Sequence, residues 1–122
     1  MHTRTMQDIQ QPLTAPWGEV VYELVGAAPA SGSATRHSLA HIIIPPGKAS
    51  QIHYHKVSEE TYYILSGTAR MVVDDHELTL VPAQACLIQP GEWHQVLNPG
   101  EDNLEFLAVC APAWSPHDSY SE

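Results

Sequence analysis

Apolar residues in this chain recur at every second position over short stretches. Spacings of three and four are nowhere sustained for ten residues. "WGEVVYELVG" alternates in this way and predicts a strand over residues 17 to 25. "RHSLAHIII" predicts another, rich in β-branched side chains and stopped by Pro45, Pro46 and Gly47. Further runs follow: "ETYYILS", a turn at Gly67, "TARMVVD", the acidic turn "DDHE", "LTLV", and "ACLIQ" ending at the Pro90–Gly91 turn. "HQVLN" and "NLEFLAVCA" come last, separated by the turn "PGED". Turns recur about every 8 to 12 residues, which predicts an all-β sandwich or small barrel. "AAPASGSAT" reads as an exposed loop, and residues 1 to 16, polar with two prolines, as a flexible N-terminal arm. The barrel domain is then expected over residues 17 to 122.

A length of 122 residues suits one domain and is short for two. Apolar residues make up 43% and charged residues 16%, the balance of a globular chain rather than a disordered one. A net charge of −9 repels phosphate backbones and argues against a nucleic-acid partner. The cations Arg4, Arg36, Lys48, Lys56 and Arg70 are scattered, so a ligand carrying several phosphates is disfavoured too. Nothing resembles a signal peptide or a membrane span, so cytoplasmic residence without a membrane partner is expected. Cys86 and Cys110 are too few for a disulfide framework and lack zinc-type spacing; both are expected to be buried and reduced.

The chemistry gathers in "QIHYHKVSEE", residues 51 to 60. Residues two apart on a strand share a face about 7 Å apart, so His53 and His55 project together while Tyr54 turns away. Paired imidazoles are either a solvated strand face or two neutral nitrogen ligands for one metal ion. Glu60 opens the next strand and offers a carboxylate, and His94, after the Pro90–Gly91 turn, is the best fourth donor. Glu59 should turn away. His76 lies in an acidic turn, and His2 and His117 lie near the termini.

The punctuation around these residues resembles the cupin superfamily. Gly47, His53, His55, Glu60 and Gly67 match its first signature at every named position. Gly91, His94 and Asn98 match the later part of its second. Ala83 stands where that motif has glycine, and Gln89 where it has proline, with Pro90 one place late. These departures touch a turn rather than a ligand. The resemblance covers Gly47 to Asn98 within a motif-bearing core of residues 38 to 110. It implies a cupin-type jelly-roll, a homodimer, and one divalent transition metal ion held by His53, His55, Glu60 and His94. Three imidazoles and a carboxylate accept iron, manganese, cobalt, nickel, copper or zinc, and on an octahedral ion they leave two positions open. The edge of the first strand is a candidate for pairing across subunits.

Three functions compete. A mononuclear metal dioxygenase is favoured by the resemblance, with Glu60 doubling as base. An isomerase, epimerase or lyase would need a base near the metal, with His41, Tyr62 and Glu105 as candidates. A non-catalytic module would bind a sugar or other small metabolite. Tyr62 is expected to line the barrel, and Trp93 to pack at its rim. The last long strand lines the cavity either with Leu104, Phe106, Ala108 and Cys110 or with Glu105, Leu107 and Val109.

Overall fold

The computed structural model describes residues 1–121. Its strands are β1 (Leu13–Thr14), β2 (Val20–Val25), β3 (Ser38–Ile44), β4 (His53–His55), β5 (Glu59–Ser66), β6 (Ala69–Val73), β7 (His76–Leu80), β8 (Ala85–Ile88), β9 (His94–Leu97), β10 (Leu104–Ala111) and β11 (Ser119–Ser121). They build a six-stranded sheet in the order β1-β2-β3-β10-β5-β8 and a five-stranded sheet in the order β11-β4-β9-β6-β7. The fold is the all-β jelly-roll expected. No helix among the described residues is long and apolar enough to cross a membrane.

The two sheets meet over a core that includes Ile44, Ile64 and Phe106 from one and Met71, Leu80 and Val96 from the other, all almost fully buried. Each such side chain contributes about 1.5–3 kcal/mol through burial. β10 runs between β3 and β5 and settles which of its faces is inside. Leu104, Phe106, Ala108 and Cys110 are buried, while Glu105, Leu107 and Val109 face outward. Along β10 the inward side chains shrink from Leu104 and Phe106 to Ala108 and Cys110; along β3 they shrink from Ile44 to Ala40 and Ser38. Large residues fill one end of the barrel, and the small ones leave a cavity of about 480 Å³ at the other.

The strand expected from residue 17 begins only at Val20, because Gly18 has φ +108° and its N–H closes a turn onto the Ala15 carbonyl. The β2 edge, read from the sequence as open for pairing with a partner, is covered by the chain's own N-terminal residues. β1 lies along Val20 and Val21, the His2 ring N–H donates to Leu24 O, and Arg4 Nη1 donates to Glu23 O. Leu13 and Thr14 of the expected arm therefore belong to the sheet.

The motif residues that bear no ligand have work of their own. Gly67 turns β5 into β6 with φ +84°, where a Cβ would stand 2.8 Å from the Asn103 carbonyl oxygen. Asn98 donates to Ile44 O and Asp102 O, both at 2.8 Å, and accepts from Gly100 N–H. Ala83, which replaces the motif glycine, nevertheless has φ +71°. With Pro82 before it and Gln84 N–H closing onto Val81 O, it occupies the position of a type II turn that favours glycine. The left-handed conformation costs an alanine more than glycine loses in chain entropy, so Ala83→Gly is expected to stabilise the protein by about 0.5–1 kcal/mol. A urea midpoint that falls in that variant would contradict the strain.

Candidate metal centre

Three strands position the four expected ligands. β4 turns His53 and His55 to one side, and Tyr54 to the other, where its ring packs between Trp93 and Tyr120 with centroids at 4.6 and 5.1 Å. β9 pairs with β4 so that His94 lies opposite His53. β5 brings Glu60 inward beside them. One donor atom from each of His53, His55, Glu60 and His94 lies within 4.8 Å of the others, and all but His53 are buried. Residues 41 positions apart in sequence thus meet at one point.

The hydrogen bonds around the rings set the tautomers. Nδ1 of His53 faces the Gln51 carbonyl at 2.7 Å, that of His55 the Asp118 carbonyl at 3.1 Å, and that of His94 the Glu92 carbonyl at 3.0 Å. A carbonyl accepts only, so each Nδ1 carries the hydrogen and each neutral ring turns a lone pair on Nε2 inward. His94 Nε2 lies 3.2 Å and His55 Nε2 3.4 Å from Glu60 Oε1. His55 Nε2 is buried without a hydrogen-bond partner. Inward lone pairs and a carboxylate repel one another unless a cation or a proton lies among them. The donor set therefore fits a divalent transition ion.

Electrostatics agree with a site arranged for positive charge. Burial would raise the Glu60 carboxyl, but its contacts with the His55 and His94 rings hold it well below the usual carboxylate range. Burial and the neighbouring His94 lower His53 to about 4. Burial also works against the charged form of His55, yet Glu60 and Asp118 outweigh it and raise the group. Cys110 Sγ donates to Glu60 Oε2 at 3.0 Å, which leaves Oε1 to the imidazoles. Cys86 and Cys110 are both free; Cys110 is buried, whereas Cys86 is only half-buried.

The cavity opens onto His53, His55 and Glu60. Tyr62 forms part of its wall, and burial together with Glu60 raises its hydroxyl well above the ordinary value. His41 does not join the site. It points from the opposite face of β3, where its Nε2 lies 2.8 Å from Glu105 Oε1, so the strand alternation removes both of these candidate bases from the cavity.

Sequence reasoning passed over two residues. Glu19, just before β2, lines the cavity half-buried, makes no side-chain hydrogen bond among the described residues, and is raised to about 7 by burial and the nearby Glu60. Its signal was legible: Glu19, Val21 and Glu23 share the inward face of an alternating run. Asp118 lies in the C-terminal residues, for which the sequence pattern predicts no strand. Its carboxylate accepts the N–H groups of Lys56, Val57 and Ser58, each at 2.9 Å, and its carbonyl orients His55.

The family model for the cupin domain matches residues 40–110, over half of the chain. An uncharacterized protein of Methanocaldococcus jannaschii is 30% identical over 116 residues, which cover 95% of this chain and 91% of that one. The oxalate-binding protein of Thermotoga maritima is 34% identical over 70 residues, 57% of this chain and 58% of that one. Among solved structures, an oxalate decarboxylase of Bacillus subtilis studied for its Mn(II) centres superposes with a TM-score of 0.77 at 26% identity. That superposition covers 95% of this chain but only 30% of the larger enzyme.

Proposed function

This chain belongs to the cupin family, and we propose that it is a mononuclear metal enzyme that transfers protons on a small carboxylate or enolate held at the His53–His55–Glu60–His94 centre. The observation that carries the proposal is the convergence of four donor atoms within 4.8 Å, with the Nε2 lone pairs turned inward beside a cavity. A bound divalent ion would act as a Lewis acid on an oxygen-donor substrate at the positions those side chains leave open. Manganese, iron, cobalt, nickel, copper and zinc all suit the ligand set, and the Mn(II) centres of the decarboxylase favour manganese. The oxalate ligand of one relative and the oxalate substrate of the other support a carboxylate.

The acid–base work falls to residues that do not bind the ion. Glu60, held well below the usual carboxylate range, is a weak base. The Glu19 carboxyl, raised to about 7, both accepts and returns a proton near neutrality, as a general acid–base must. Tyr62 stays protonated and offers its hydroxyl as a hydrogen-bond donor. These roles suit a lyase or an isomerase.

The dioxygenase expected from the sequence is the second reading. The apolar wall of Val21, Ala40, Ile42 and Ala108, through which dioxygen could reach the ion, supports it. Manganese-loaded protein offered a panel of oxo acids and dicarboxylates under argon should turn over one of them if protons are transferred. Turnover that requires air and consumes dissolved oxygen would replace the first reading with the second. Thermal stabilisation by a ligand without turnover in either gas would leave a binding module.

A further inference from the structure

The cavity that meets the metal centre is lined by a single lysine or arginine among the described residues, Arg4. It comes from the N-terminal segment, not from the barrel strands that hold the ligands. Its Nη1 donates to Glu23 O at 3.0 Å and to the Oγ of the fully buried Ser31 at 2.8 Å. Both acceptors are neutral. They fix the guanidinium without cancelling its charge, and Arg4 makes no ion pair with any carboxylate among the described residues. Arg70, on the exterior, is by contrast paired with Glu77. Two hydrogens on Nη1 are thus used, while those on Nε and Nη2 remain. That remaining edge is the fork that a carboxylate meets side-on with two parallel hydrogen bonds. A half-buried cation with no direct ion-pair partner is costly, and a chain of net charge −9 had many carboxylates with which to pair it.

We propose that Arg4 anchors the carboxylate of a substrate whose other end carries the oxygen atoms that bind the metal ion, so that Arg4 determines specificity at the far end of the cavity. The inference rests on the metal-centred reading above and extends it. Leu13, Val21, Ala40 and Ile42 line the same cavity, so the body of the substrate between its two polar ends is apolar. A volume of about 480 Å³ also exceeds what a two-carbon dianion fills, which points to a longer acid than oxalate. The other charged side chains facing this space are Glu19, Glu23, Glu60 and the imidazoles of His53 and His55. Glu60 would be offset by the ion, and burial raises Glu19 and also Glu23, where the nearby Arg4 charge opposes the rise without reversing it.

Two probes of equal carbon-chain length test the anchor: 2-oxoadipate and 2-oxohexanoate share the metal-binding 2-oxo acid end, and only the first has a carboxylate at the other. Calorimetric titration of cobalt-loaded, full-length protein should show 2-oxoadipate binding about tenfold more tightly than 2-oxohexanoate. Arg4→Met should erase that preference and leave 2-oxohexanoate affinity within about twofold of the original, since the ligand then meets only the ion and the apolar wall. Arg4→Lys, which keeps a point charge but loses the fork, should retain only part of the preference; it also serves should the methionine variant fail to fold. An equal affinity of the unaltered protein for both probes overturns the anchor alone, as does a preference that survives in both variants. If cobalt is bound and neither probe binds, the metal-centred reading fails and the anchor with it.

Discussion

Glu60→Gln is expected to lower the affinity for a divalent transition ion about a hundredfold or more while leaving the melting temperature of the metal-free protein, measured at alkaline pH where the His55 ring is neutral, unchanged or higher. The two effects separate a ligand from a structural residue. The carboxylate of Glu60 is buried against two Nε2 lone pairs, at 3.2 and 3.4 Å. With His55 neutral and no cation present that arrangement opposes folding, because a buried charge is stabilised only by a partner of opposite sign. A glutamine of the same shape turns an N–H toward His94 and His55 and removes the repulsion, but gives the ion a neutral oxygen in place of an anionic one. Losing a group that merely orients a ligand costs about 10–100-fold in affinity, and a direct ligand should lie at or beyond the top of that range. Asp118→Ala, which loosens the turn after β4 and thereby His55, should cost about tenfold. His41→Ala, on the far side of β3, should change nothing. Chelator competition measures all three. An affinity for Glu60→Gln within about threefold of the original would remove Glu60 from the centre, and a large loss for His41→Ala would contradict the placement of His41 outside it.

The part of this site that was legible in the sequence is the part that strand geometry makes local. His53 and His55 share a face because they are two residues apart, and Gly67 ends a strand because its φ is positive. The glycine and histidine spacings resemble a known motif closely enough to add His94, which no local rule would join to His53. What escaped depended on partners far away in the chain. His41 looked like a base because a histidine on an alternating strand has an even chance of facing inward; only the register with β10, which sets it beside Glu105 and Leu107, decides against it. Asp118 carried no local signal, because only the pairing of β11 with β4 places it beside His55. Arg4 belonged to a segment read as a loose arm, and its role follows from the β2 edge and the buried Ser31 that hold it. Ala83 shows the converse case. The departure from the motif was plain in the sequence, yet the backbone keeps the glycine-like conformation and absorbs the strain.

Acid should strip the ion from the centre with a slope to which His55 and His53 contribute at different pH. An ion needs neutral Nε2 atoms, so any proton held by a ring must leave on binding, and each such proton weakens apparent affinity about tenfold per pH unit below that ring's midpoint. His55 carries the larger share, because Glu60 and Asp118 outweigh its burial and raise it above 6.5. His53 is lowered to about 4 by burial and by His94, so it stays neutral and ready to bind over most of the acid range. Glu60 remains ionised throughout that range, since the rings hold it well below ordinary carboxylates, and it adds no slope. The sign is thus fixed: affinity falls as pH falls through the raised His55 midpoint, by about a hundredfold over the next two units from His55 alone, and it falls more steeply once His53 joins near 4. Equilibrium dialysis against manganese from neutral pH down to about 4, with metal content read at each step, measures the curve directly. In His55→Asn, which removes that titrating ring, the weaker residual binding should have a shallower slope across the His55 range, reduced by about tenfold per pH unit, and keep the break near 4. A flat profile in the unaltered protein across that range would mean that the ion, if bound, does not displace the His55 proton, and His55 would then lie outside its coordination shell.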